Sequence, residues 1–355
     1  MSSGRRFGET LSIAGRQVGG GAPCYIIAEA GANHNRDLGT ARELIGVAAD
    51  AGADAVKFQV YSGKSLYSSK TPRFQYLEGV SDKDTQQILE DAALPREWLG
   101  ELASHCAALG ITFFATPFDA AAVTELADVG VPAFKIASFE LVDVEFIAAV
   151  AAHGLPLLLS TGMATYGEIQ DALDAAASSG ATDVALLRCA SLYPAPPDIM
   201  NLRAMATMRQ AFGIPVGLSD HTEGVAVPTG AAALGMDVLE KHFTLDRDSP
   251  GPDHPFAIEP DELRALVRAV RDVEAAMGNG RLEGPTDAEA AEMYTLARRS
   301  LVAATDIRAG TTIVREHLTV KRPGFGIAPK HLPLVVGRTA RVDIEFDDVV
   351  TWDMV

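Results

Sequence analysis

Two lysines sit inside short apolar runs. Lys57 interrupts AVKFQVY (55–61) and Lys135 interrupts AFKIASFE (133–140). An isolated ammonium is costly to bury. A snorkelling or salt-bridged lysine would be the structural explanation for either one alone. For two, a shared anion is the better explanation. Lys57, Lys135 and Arg188, with the hydroxyls of Thr116, Ser138, Ser160 and Ser219, suit a phosphate and a carboxylate held together. Either lysine could instead serve as a Schiff-base nucleophile.

Two histidines form the second constellation. His221 lies in SDHT and His242 in EKHF, beside Asp220 and Glu240. A lone histidine is more often structural. A pair at neighbouring strand ends has the arrangement of a divalent-metal site, and imidazole with oxygen ligands leaves Mn2+, Zn2+ and Fe2+ open. Such an ion could act as a Lewis acid on a carbonyl oxygen. The loop DRDSPGPDHPF (246–256) is stiffened by proline and glycine. Asp253 and His254 could reach a substrate from it; a polar surface loop is the alternative.

The elements that carry these residues alternate. Eight short β-branched or aromatic runs begin at about residues 24, 55, 112, 133, 155, 183, 215 and 238. They are bounded by Gly, Pro or Asp, as buried parallel strands are. Between them lie helical patterns such as Thr40–Gly52 and Gly167–Gly180, which end at glycine. Another follows at 259–277, with Pro260 and acids in its first turn. Eight alternations predict a (β/α)8 TIM barrel, with a doubly wound open sheet as competitor. In a barrel the C-terminal strand ends share one mouth. There the sequence places Glu29, Lys57, Gln59, Thr116, Lys135, Ser138, Glu140, Ser160, Ser191, Tyr193, Ser219, His221 and His242.

Residues 62–94 interrupt the rhythm and predict an active-site loop or lid. FGETLSIAGRQVGGG (7–21) reads as a hairpin that plugs the barrel bottom. The barrel domain is expected over 1–279, a linker with a helical tail over 280–297, and a compact, mostly β domain over 298–355. That last domain would hold the runs SLVAATDI, TTIVREHLTV and RTARVDI.

Bulk properties exclude several classes. The 355 residues are 48% hydrophobic and 22% charged, enough to bury a large core. The net charge of −17 comes without any Lys/Arg cluster, which argues against nucleic acid. No apolar run approaches a membrane span and no secretion signal is visible, so a cytoplasmic location is expected. Cys24, Cys106 and Cys189 are far apart and form no CxxC, as expected of reduced, buried thiols. Gly19–Gly21 precedes a strand and is no dinucleotide loop; Walker A and GxSxG motifs are missing from the sequence.

The motifs IIAEAGANHNRDL, AGADAVKFQ, TPFD, FKIAS, STGMAT, SLYPAPPDIMNLRAM, GLSDHTEG, EKHFTLDRDSPGPDHPF and KRPGFGI occur in this order over about residues 20–345. In this the chain resembles the sialic acid synthase family, which includes legionaminic and pseudaminic acid synthases and spore-coat polysaccharide proteins. The resemblance implies a TIM barrel joined to a small antifreeze-like (SAF) domain in a domain-swapped homodimer. The implied reaction joins phosphoenolpyruvate to an N-acylated amino-sugar aldose, such as N-acetylmannosamine, giving a nine-carbon α-keto acid and phosphate. His221 and His242 match the metal ligands, and Mn2+ is expected ahead of Mg2+, Co2+ or another ion. Lys57, Thr116, Lys135, Ser138, Ser160 and Ser219 match phosphoenolpyruvate contacts. Gln59, Tyr193 and Asp253 match acceptor contacts, and Arg322 of KRPG matches an arginine that serves the partner's site. Glu29 and Glu140 fall in matching motifs. The sixth strand reads CAS where relatives commonly have CTS or CTN, which weakens Ser191. Residues 62–80 match least, and ARRS (297–300) lies near a segment that can contact the acceptor; both leave the sugar open. The alternatives are a synthase of the same fold acting on a phosphorylated aldose, a Schiff-base aldolase, and a non-catalytic carbohydrate-binding or scaffold protein.

Overall fold

The computed structural model describes residues 7–72 and 83–355. They divide into two compact units, Met1–Gly278 and Asn279–Val355.

The first unit opens with the antiparallel hairpin β1 (Thr10–Ile13) and β2 (Arg16–Gly19). Eight parallel strands follow: β3 (Tyr25–Gly31), β4 (Ala55–Val60), β5 (Thr112–Pro117), β6 (Phe134–Ile136), β7 (Leu157–Ser160), β8 (Val184–Cys189), β9 (Val216–Asp220) and β10 (Val238–His242). They are ordered β5-β4-β3-β10-β9-β8-β7-β6, and β5 comes round beside β6 to form the barrel. Helices separate successive strands and cover the outside. Asp37 caps Leu38–Asp50 by accepting from the Thr40 amide at 2.7 Å. The 62–94 segment forms the short helix Gly63–Leu66 and the helix Thr85–Ala92; its residues 73–82 lie outside those described. No described helix is long and apolar enough to cross a membrane.

Strand periodicity explains how the interior is filled. Alternate residues of a strand point to opposite faces. The inward stripe of each strand is apolar at its N-terminal end, where Tyr25, Ile27, Ala55, Phe114, Ala133, Leu158, Ala185, Leu187 and Val238 form one cluster. Leu11, Ile13 and Val18 of the hairpin join that cluster and close the bottom, as the sequence predicted. The same stripes turn polar towards the other end, so the chemistry collects at the C-terminal mouth.

Gly217 is required by this closure. A Cβ built there falls 2.1 Å from the Val238 carbonyl oxygen, a backbone atom of the adjoining strand. Gly217→Ala is therefore expected to cost at least about 3 kcal/mol, the upper range for overpacking, and to lower the melting temperature by about 8 °C. Gly230→Ala is the control. A Cβ there meets nothing within 4 Å inside the helix Ala226–Ala233, and alanine favours helix. Equal melting temperatures for the two variants would refute the closure argument.

The second unit has its own core, built around Leu301, Ile307, Ile313, Ile327, Ile344 and Val350. Its only two described strands are β11 (Ser300–Ala303) and β12 (Leu318–Lys321), which pair antiparallel. The run RTARVDI, expected as a strand, supplies only isolated bridges at Thr339 and Ile344. Short turns keep it from running alongside a partner for more than one residue.

Candidate active site

Lys57 and Lys135 project from β4 and β6 into the mouth, both almost fully buried. Lys57 Nζ lies 2.8 Å from Glu29 Oε2 and donates to Thr116 Oγ1 at 2.9 Å. Lys135 Nζ donates to Ser160 Oγ at 2.7 Å and to its neighbour Ile136's carbonyl at 3.1 Å. Between the lysines stands Glu240, 3.7 Å from each and accepting from Ser219 Oγ at 2.9 Å. Gln59 Nε2 donates to Glu29 Oε1 at 2.8 Å. Burial opposes the charge on every one of these groups, and the balance differs among them. Burial lowers Lys57, but Glu240 and Glu29 outweigh it and hold its pKa above the ordinary value. Burial also lowers Lys135, and here Glu240 offsets only part. Glu29 is pushed up to about 6 by burial, against the pull of Lys57.

His221 and His242 close the other side, their ring centroids 5.5 Å apart. His221 Nδ1 donates to the Ala190 carbonyl at 2.7 Å, which leaves Nε2 with its lone pair. His242 Nδ1 is buried without a hydrogen-bond partner. Burial, reinforced by His221, holds His242 well below the ordinary value, so it stays neutral and able to ligate. Asp253 Oδ2 lies 3.9 Å from His242 Nδ1 and accepts from the Ala32 amide at 3.2 Å. Gly31 makes room for it, since a Cβ there would sit 2.6 Å from that oxygen.

These features fit a divalent cation. Bonds of about 2.1 Å to each ring suit imidazoles at this separation. Three carboxylates, Glu29, Glu240 and Asp253, also outnumber the two lysines nearby. Among the described residues no group of three His, Cys, Asp or Glu side chains gathers at one point, so the remaining positions on an ion would be open to substrate and water. The Tyr193 ring centroid is 4.2 Å from that of His221, and Phe256 lies 5.0 Å from that of His242.

The structure brings most of the predicted residues together. Glu29, Lys57, Gln59, Thr116, Lys135, Ser138, Ser160, Tyr193, Ser219, His221 and His242 line one pocket. Asp253 lines an adjoining one, which shares Gln59, Tyr193 and His242 with it. Ser191 and Glu140 line a third cavity beside Tyr193, and Ser191 Oγ lies 2.9 Å from Ser138 Oγ. Arg322 is exposed, directly after β12 in the second unit.

Three expectations need correction. Arg188 does not join the lysines. It shares neither the parity nor the direction of Leu187 and Cys189, and its guanidinium donates to the carbonyls of Met200, Gly162 and Ile199. His254 is engaged at both ring nitrogens, by Thr244 Oγ1 at 2.6 Å and Asn35 Oδ1 at 3.2 Å, so it holds the loop rather than reaching for substrate. Asp220 pairs with Lys241 at 2.7 Å, away from the histidines. Two residues were missed. Glu240 was seen only as a flank of His242, yet it shares the inward parity of Val238 and His242. Cys189, taken as an inert thiol, lines the pocket 3.8 Å from His221 Nδ1.

Comparison with known proteins agrees with this geometry. The model of the NeuB family matches residues 44–282, and that of the SAF domain matches 298–355. The chain belongs to the NeuB family. An N,N'-diacetyllegionaminic acid synthase of Campylobacter jejuni is 39% identical over 92% of this NeuB-family chain and 98% of its own. The N-acetylneuraminate-9-phosphate synthase of Mus musculus is 34% identical over 95% and 94%. Among solved structures, the N-acetylneuraminic acid synthetase of Leptospira borgpetersenii, in complex with citrate, superposes with a TM-score of 0.72 at 33% identity. It covers 81% of this chain and 95% of its own.

Proposed function

We propose that this NeuB-family chain joins phosphoenolpyruvate to the open-chain aldehyde of an N-acylated amino aldose, giving a nonulosonic acid and phosphate. The observation that carries the reading is the single pocket in which two buried lysines and four hydroxyl-bearing side chains face a neutral, metal-competent histidine pair. The names of the relatives support the product class.

In the proposed reaction C3 of the enol phosphate attacks the aldehyde carbon, forming the C–C bond. Water adds to C2, and the C2–O bond to phosphate breaks, so the bridging oxygen leaves with phosphate. Lys57 and Lys135 hold the phosphate and carboxylate, with Thr116, Ser138, Ser160 and Ser219 donating hydrogen bonds. Such preorganised donors are each worth about 3 kcal/mol in a water-poor site. Glu29, with a pKa of about 6, is placed to exchange a proton near neutrality. Gln59, Tyr193 and Asp253 orient the sugar. An ion held by His221 and His242, expected to be Mn2+, supplies Lewis acidity towards the aldehyde oxygen. The family resemblance further assigns Arg322 to the acceptor in a second copy of the chain.

The test is phosphate release from phosphoenolpyruvate carrying 18O at the bridging position, across a panel of free and phosphorylated amino sugars. The expected result is acceptor-dependent release with the label in phosphate. Label retained in the keto acid, or a pyruvate adduct trapped by borohydride, would overturn it. Mixing Arg322→Ala with His221→Ala should restore part of the activity if the arginine acts in trans.

A further inference from the structure

Next to the catalytic pocket lies a cavity of about 800 Å³ that shares Tyr193 and Phe118 with its neighbours. Its character is different. Phe139, Met163 and Leu192 form its wall, with fractional exposures of 48%, 74% and 53%. Apolar side chains left this open at the mouth of a site mark a surface meant to be covered. In that wall stands one charged group, Glu140. Its Oε2 is buried and has no hydrogen-bond partner. Burial pushes its pKa up to about 7.

A buried acceptor beside an apolar wall asks for a ligand with one donor and little else that is polar. A sugar hydroxyl could satisfy the oxygen, but its neighbouring hydroxyls would be left against Met163 and Leu192. An acylamino group fits both parts: its N–H donates to the carboxyl of Glu140 and its methyl lies on the apolar wall. A deoxygenated chain end leaves no stranded hydroxyl. We propose that this cavity is a distal acylamino subsite. The preferred acceptor is thus a hexose with a second acylamino group and a methyl terminus, of the 2,4-diacylamino-2,4,6-trideoxy class, rather than a fully hydroxylated N-acylhexosamine. The assignment rests on the condensation reaction proposed above.

The experiment compares kcat/KM for 2,4-diacetamido-2,4,6-trideoxymannose and for N-acetylmannosamine, with saturating phosphoenolpyruvate and Mn2+. The diacylamino sugar should be favoured about thirtyfold, the sum of one hydrogen bond and one methyl contact. Glu140→Ala should lower that ratio about tenfold, mainly through KM, and Glu140→Gln should retain most of it, because its amide oxygen accepts the same N–H. Met163→Ser, at an exposed position that tolerates the change in folding, should lower the ratio on its own. A wild-type ratio near one or below, with either sugar turning over, overturns this subsite and leaves the condensation reaction standing. A high ratio that neither Glu140→Ala nor Met163→Ser reduces also overturns it, since selection then happens elsewhere. No phosphate release with any sugar overturns both.

Discussion

Glu240→Gln is expected to lower kcat/KM about a thousandfold while the chain remains folded. The substitution keeps the shape and removes one charge. In the wild type this carboxylate stands 3.7 Å from both lysines. Lys57 retains Glu29 at 2.8 Å after the change. Lys135 does not fare as well, since its remaining contacts are the Ser160 hydroxyl and its neighbour's carbonyl. Burial already lowers its pKa, and Glu240 is the largest opposing influence. Without it Lys135 releases its proton at lower pH. The sign follows: the protonated form binds the anion, so activity falls as pH rises through that pKa, and the basic limb of the profile moves down in the variant. Loss of one preorganised cation in a dry site accounts for about 3–4 kcal/mol of transition-state stabilisation. The stability cost should stay under about 3 kcal/mol, because a buried lysine that loses its counterion neutralises instead of remaining charged. The double variant with Lys135→Met should be hardly worse than Lys135→Met alone, as residues acting as a unit are not additive. Wild-type kcat/KM and an unmoved basic limb in Glu240→Gln would show that the carboxylate is not the counterion proposed.

That central role was readable in the sequence and was passed over. The inward stripes follow from period-two alternation alone: Ala55, Lys57 and Gln59; Ala133 and Lys135; Leu158 and Ser160; Val238, Glu240 and His242. Applied to β8, the same count puts Leu187 and Cys189 inside and Arg188 outside, as observed. Chemical type suggested Arg188 as an anion ligand; parity excludes it. The eight strands and their order of polarity were legible because parallel barrel strands are buried on both faces and read as apolar runs. The loop after β10 was not. Whether Asp253 or His254 enters the site depends on long-range partners, the Ala32 amide for one and Thr244 with Asn35 for the other, and no local pattern encodes them. The same holds for Glu140. Its motif marked it, but the apolar cavity around it comes from three separate loops.

His221→Ala and His242→Ala carry the other large expected effect. Each should lower kcat by about a thousandfold or more, the scale on which loss of a Lewis acid is felt, and each should abolish tight binding of one Mn2+ per chain measured by calorimetry or paramagnetic resonance. The binding readout matters because activity alone cannot separate a ligand from a positioning residue. With only two histidines at the point where their rings converge, either loss leaves a single protein donor. The second coordination shell offers a graded test. His221 is oriented by the Ala190 carbonyl, and removing such an outer partner commonly costs ten- to a hundredfold in metal affinity. A backbone acceptor cannot be deleted by substitution, but the ring can be replaced. His221→Gln keeps an acceptor in the site while abandoning the Ala190 contact, and should bind Mn2+ more weakly than wild type yet more tightly than His221→Ala. Burial keeps His242 neutral well below the ordinary histidine range, so protons compete for it only in acid, and Mn2+ affinity should fall on acidification mainly through His221. Stoichiometric Mn2+ binding at wild-type affinity in both alanine variants would remove the metal from this pair, and with it the reason for two imidazoles to face one another at the mouth of the barrel.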